Sequence, residues 1–302
     1  MTPYFYLKQI PDIRVELFHA PESRLTMTKS LILPAILLAL LVPEAQAQKC
    51  NLSQTKGIFS ALATGSISVF PPPLGILAGP TTRVGRVDND GKGNVHLSAV
   101  TSLNGFVLAE EYDGVLVVNP DCSTEVNFLI PFPLIGFLPF QFVGATSDNF
   151  RQQDIILASI GGGPPASTVT ITLRQQPRSN CSNGDLKGVY VVNMRGTTEL
   201  FSGSPKPFVR LGQVTFDGVG AFSANTSVSD GSGPLVPDAF AGAYSVQSSC
   251  EFTMNYSGNT WAGMLSDNGQ AANLMVSVPN PPVPPADPAP LGQVVAGRLI
   301  KQ

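Results

Sequence analysis

From about residue 57 onward, apolar and polar residues alternate with a period of two in short runs. That spacing puts one face of a strand on a core and the other in solvent. Val95, Leu97 and Ala99 interleave with His96 and Ser98, and Phe222, Ala224 and Thr226 with Ser223 and Asn225. Phe240, Gly242, Tyr244 and Val246 alternate likewise with Ala241, Ala243 and Ser245. Residues 168–173 read Thr-Val-Thr-Ile-Thr-Leu, whose β-branched members suit a pleated surface. Asp-Gly and Asn-Pro-Asp sites between runs are hairpin chemistry, because Gly tolerates positive φ. No window of a dozen residues in the mature chain has helical spacing. The pattern predicts eight strands in the first half, near 57–65, 82–88, 93–101, 110–119, 123–130, 139–147, 152–160 and 167–175.

The second half repeats the first. Cys50, Lys56-Gly57 and Phe59 recur at the same intervals as Cys181, Lys187-Gly188 and Tyr190. Arg83-Val84-Gly85-Arg86-Val87 matches Arg210-Leu211-Gly212-Gln213-Val214, and the turns Asp90-Gly91-Lys92-Gly93 and Asp217-Gly218-Val219-Gly220 follow in register. Gly114 through Cys122 matches Gly242 through Cys250, and Phe142-Val143-Gly144 matches Trp261-Ala262-Gly263. Shared landmarks in one order imply two homologous all-β domains, 48–176 and 181–302, joined by a linker at 177–180.

If the strands meander, the short turns at 89–92, 120–122 and 148–151 gather at one end. The longer connections 66–81, 102–109, 131–138 and 161–166 gather at the other. One tight end and one looped end describe an up-and-down eight-stranded antiparallel barrel with a mouth. Four cysteines allow three connectivities. In this arrangement Cys50 and Cys122 share the tight end of the first barrel, and Cys181 and Cys250 that of the second. The repeat therefore selects Cys50–Cys122 and Cys181–Cys250. A four-cysteine zinc site would need paired CxxC spacing, which is missing.

Gly57-Ile58-Phe59 and Gly188-Val189-Tyr190, opening the first strand of each repeat, resemble the Gly-x-Trp of the calycin barrels, the lipocalins and avidins. Phe and Tyr stand where that family has Trp. The resemblance implies small closed barrels with an Arg from the last strand packed over the ring at the closed end, a role it gives to Arg174 and Arg298. The tandem pattern is also similar to secreted bacterial repeat proteins of no assigned activity, so it implies a fold and a compartment only.

Composition narrows the function classes. The chain has 302 residues, 29 Gly and 27 Pro, 13% charged residues and a net charge of −3. That charge offers no footprint for nucleic acid. Residues 27–47 read as an export signal: Lys29, an apolar run at 31–41, and Ala45-Gln46-Ala47 as a small-x-small cleavage site, with Met27 as the natural start after an N-terminal extension. The apolar run is too short to span a bilayer, and the mature chain shows no transmembrane segment. A secreted, periplasmic or cell-surface location follows, and it suits disulfides.

Candidate chemistry is sparse. Asp88 and Asp90 before Gly93 lack the distal Glu of a calcium loop. His96, the one histidine after the export segment, alternates with inward residues and faces solvent, so a Ser-His-Asp triad has no base. Glu110, Glu111 and Asp113 form the one carboxylate cluster, but neighbours on a strand face opposite ways, which favours a solvated face. Gly161-Gly162-Gly163-Pro164-Pro165 opens no helix and reads as a loop. No catalytic residue, cofactor or metal ligand is assigned. The distinctive feature is an apolar mouth in the first domain, carried by Phe70, Leu74, Leu77, Val107, Phe132, Leu134 and Phe137. The leading reading is a secreted non-enzymatic protein whose first barrel binds an apolar small molecule or protein partner there. The alternatives are a structural or interaction module with plugged barrels, and a lyase or isomerase using interior polar groups.

Overall fold

The computed structural model describes residues 49–68, 70, 74–132, 136–147, 149–163, 167–176, 179–200, 205–231, 233–277 and 292–302, without the side chain of Phe132. Residues 1–48, where the sequence suggests an export signal, Leu134 and part of the Gly/Pro loop at 161–166 lie outside them. Alternating sequence becomes alternating burial. The first barrel comprises β1 (Gly57–Ile67), β2 (Gly79–Asn89), β3 (Asn94–Leu103), β4 (Phe106–Val118), β5 (Ser123–Phe132), β6 (Gly136–Ser147), β7 (Gln152–Ile160) and β8 (Thr170–Gln176). The second comprises β9 (Gly188–Thr198), β10 (Lys206–Phe216), β11 (Ala221–Ser229), β12 (Val236–Val246), β13 (Glu251–Tyr256), β14 (Asn259–Ser266), β15 (Ala271–Ser277) and β16 (Val294–Lys301). Within each barrel every strand pairs antiparallel with the next, and β1 with β8 and β9 with β16 close the two barrels.

The tight ends are stapled. Cys50 is bonded to Cys122 and Cys181 to Cys250, with Cα atoms 5.0 and 4.9 Å apart. The two turns are copies of each other: the Cys122 amide donates to Asn119 O and the Cys250 amide to Gln247 O, both at 2.9 Å. The hairpin acid is used in the same way in both repeats. Asp90 accepts from the amides of Lys92 and Asn94, and Asp217 from those of Val219, Gly220 and Ala221.

Inward glycines allow the walls to coil tightly. A Cβ on Gly85 would run into the backbone oxygen of Ser98 on β3, and one on Gly212 into that of Asn225 on β11. These positions are equivalent in the two repeats, which explains why the landmark is a glycine in both.

Two expectations are corrected. The connection at 102–109 is not a long loop. Asn104 and Gly105 take φ of 49° and 88°, which closes a two-residue hairpin with Leu103 opposite Phe106 and extends β4 toward the mouth. Arg174 and Arg298 do not cover the ring at the tight end. Inward positions on β8 are Ile171 and Leu173, so Arg174 points outward, where its Nη1 lies 3.6 Å from Asp267 of the second barrel. Arg298 likewise alternates with the buried inward Leu299. The cation over Tyr190 is Lys301, its Nζ 5.8 Å from the ring centre.

The outer faces of β1, β2 and β3 pack on the second barrel. Val84 is buried in the second barrel's apolar cluster, with Ile58, Leu62 and Val100 packed against it. Polar groups at this seam are satisfied across it: Ser60 Oγ donates to Met264 O and accepts from Asn273 Nδ2, at 3.2 and 2.9 Å. Gln176, at the end of β8, donates toward the sulfurs of Cys181 and Cys250 and accepts from the Asn268 amide.

Candidate functional site

The inside of the first barrel is largely apolar; Asn89 and Gln153 line it toward the tight end, and an ion pair crosses it nearer the mouth. Arg83 on β2 and Glu110 on β4 both face inward, because each alternates with outward neighbours. Arg83 Nη2 lies 2.6 Å from a Glu110 carboxylate oxygen, with side-chain exposures of 12% and 6%. Thr101 joins them: Arg83 Nε donates to Thr101 Oγ1 at 2.7 Å, and that hydroxyl donates to Glu110. Tyr112, two residues along β4, also lies against the Glu110 carboxylate. Burial first, then the charge of Glu110, pushes the Tyr112 phenol well above its usual value, so it stays neutral. Glu110 thus departs from the solvated face expected of the carboxylate cluster; only Glu111 and Asp113 lie outside.

This polar layer divides two small cavities of about 30 Å3 each. One lies toward the tight end among Phe59, Val87, Leu97, Phe128 and Leu173. The other lies toward the mouth among Ile67, Phe70, Leu103, Phe140 and Val169. Each has room for about one water molecule. Arg83, Glu110 and Tyr112 are groups an acid–base enzyme would use, but the two lumen cavities beside Arg83 are too small for a substrate.

The second barrel carries an equivalent pair. Arg210 Nη2 lies 2.6 Å from Asp238 and its Nη1 donates to Tyr256 Oη at 3.0 Å. The guanidinium is also surrounded by the rings of Phe208, Phe240, Tyr256 and Trp261, 4.9 to 5.9 Å from their centres. Attraction of a cation to ring faces adds to the ion pair here. The indole N–H of Trp261 and Nε of Arg210 are buried without a partner. Alignment of the repeats puts Arg83 with Arg210 and Glu110 with Asp238. Sequence reading missed both pairs, although a charge recurring on an inward parity was the available signal.

The mouth residues divide into distinct groups. Phe70 and Leu74 are buried and Leu77 is half-buried, all packed into the first barrel's core, where they stopper it. Val107 pairs with Ser102 on the outer face, whereas its neighbours Phe106 and Leu108 face the lumen side and are exposed. Phe137 is 67% exposed and Ile76, in the turn before β2, 68%. The Phe132 side chain and Leu134 lie outside the described residues. The exposed rim is therefore Ile76, Phe106, Leu108 and Phe137. The second barrel also exposes Leu235 and Val236 near its mouth.

His96 sits on the outer wall between two carboxylates, Nδ1 2.8 Å from Asp113 and Nε2 3.2 Å from Glu111. The hydrogen bond to Asp113, against a smaller desolvation cost, raises its pKa above the ordinary 6.5. The folded state thus prefers the protonated ring. This contribution to stability is fully present below about pH 6.5 and is lost as pH rises through the elevated folded value. The ring is exposed enough for the effect to be small. Proton NMR titration should find the His96 pKa above 6.5. His96→Gln should remove the slight fall in urea midpoint between pH 6 and 8; an ordinary or lowered pKa would refute the clasp.

No family model matches this chain, and no curated protein matches it. Among solved structures, a "putative outer membrane protein" from Bacteroides fragilis NCTC 9343 is 13% identical, with 84% of this chain and all of that chain covered, at a TM-score of 0.24. At that score the likeness is too loose to carry fold or function. No helix among the described residues is long and apolar enough to cross a membrane.

Proposed function

We propose that this chain is an exported, non-enzymatic binding module with calycin-like barrels that engages an apolar group of a partner at the mouth of its first barrel. The observation that carries this reading is the contrast between a stoppered lumen, with cavities of about 30 Å3, and a rim that exposes Ile76, Phe106, Leu108 and Phe137. A carrier that swallows its ligand needs several hundred Å3; a rim binder does not. Two disulfides support an oxidising, extracellular or periplasmic compartment.

The test uses an apolar fluorescent probe, anilinonaphthalene sulfonate, on the intact chain. Burying one such side chain contributes about 1.5–3 kcal/mol, and about 1.4 kcal/mol is a factor of ten. Ile76→Ser with Phe137→Ser should weaken probe binding at least tenfold and leave the melting temperature nearly unchanged. Phe70→Ser should do the reverse, lowering stability by about 3 kcal/mol through the cavity it opens. Failure of the wild-type protein to bind the probe, or undiminished binding by the rim variant, would sink the reading.

A further inference from the structure

A groove of about 630 Å3 runs between the outer walls of the two barrels, beside the mouth-side ends of β1 and β2. One side is built by β9 and β16, the other by β1 and β2. On β9 and β16, Asn193 pairs with Arg298 and Arg195 with Ala296, so the two arginines are diagonal neighbours on one face. Diagonal cross-strand positions lie roughly 7–8 Å apart, close enough for two guanidinium groups to share one ligand. The facing wall supplies Thr64, the register partner of Thr82, whose own hydroxyl donates to Ala63 O at 3.0 Å; Thr197 adds a second available hydroxyl. No carboxylate lines the groove among the described residues.

The arginines lack the partners that such residues usually have. Among the described residues neither Arg195 nor Arg298 forms an ion pair. Asp154 and Asp267 attract Arg298 from beyond ion-pair distance; Asp267 lies 3.6 Å from Arg174, and Asp154 accepts from Thr172 Oγ1 and Gln152 Nε2, at 2.8 and 2.7 Å. Arg298 is half-buried beside the like charge of Arg174, and burial followed by that repulsion lowers its pKa. A half-buried cation facing a carboxylate-free groove with hydroxyls around it is a receptor for an anion, since guanidinium matches the geometry of oxyanions. We propose that the groove between the barrels binds the oxyanion group, phosphate or carboxylate, of an elongated ligand, with Arg195 and Arg298 as the anion-holding pair. The groove's size is that of small-molecule sites, and Leu62, Val294 and Ile300 give the remainder of the ligand an apolar bed.

Calorimetric titration of the full chain with sodium pyrophosphate and, separately, with citrate would test this and distinguish the two chemistries. At least one should bind saturably. Arg195→Gln with Arg298→Gln should weaken that binding tenfold or more, while Arg151→Gln, an exposed arginine at the tight end of the first barrel, should leave it unchanged. Arg195→Gln alone, at an exposed position, should weaken binding several-fold without shifting the melting temperature, which keeps the test open if the Arg298 variant folds poorly. Absence of saturable binding by both anions, or equal loss in the Arg151 control, would overturn the proposal.

Discussion

Glu110→Leu, with Arg83 left in place, should destabilise the first barrel by about 3–5 kcal/mol, because it strands a buried guanidinium without its counter-charge. For a chain of this size that is a fall in melting temperature on the order of 10 °C. The cause is local: Arg83 would keep only Thr101 from its present hydrogen-bonding set. Arg83→Met combined with Glu110→Leu should recover most of the loss, since two apolar side chains can fill the layer between the cavities without a charge to desolvate. Urea unfolding of the two single variants and the double variant gives the coupling directly. Equal stability of Glu110→Leu and wild type would mean that the pair is solvated after all.

Cys181→Ser with Cys250→Ser should cost about 4 kcal/mol in the chain-entropy account, because the bridge closes a loop of 69 residues. Its effect should reach the first barrel, since Gln176 at the end of β8 donates toward both sulfurs and accepts from Asn268. Hydrogen exchange should therefore show lost protection at the β8 end as well as in β9 and β13. Loss confined to the second barrel would argue that the seam is energetically slack.

Much of the fold was legible because period-two alternation and the repeat reinforce each other. Val95, Leu97 and Ala99 face the lumen as the pattern requires, and the cysteine pairing follows from which turns share an end. The misses concern parity and turn chemistry. Asn104-Gly105 carried a clear hairpin signal, but the apolar residues after it, Phe106 to Leu108, drew the reading toward a loop. Arg174 and Arg298 were assigned as equivalents, yet Arg174 lies opposite Ser60 and Arg298 opposite Asn193, which are not matching positions of the repeat. The mouth was legible only in part. Sequence hydrophobicity does not distinguish a residue that stoppers a barrel, such as Phe70, from one that rims it, such as Phe137.

The walls are not paired along their whole length, and that has a bearing on how anything can recognise this protein. Each first strand is hydrogen-bonded on both sides, but β4 pairs with β5 only over Gly114–Val118 and β12 with β13 only over Ala243–Val246, so the mouthward stretches of β4 and β12 are paired on one side only. A chain that docks by adding a strand would meet an unpaired edge there. Along the fully paired first strands recognition must be read from side chains projecting off the wall, and it can change by point substitution on that surface without disturbing the strands beneath.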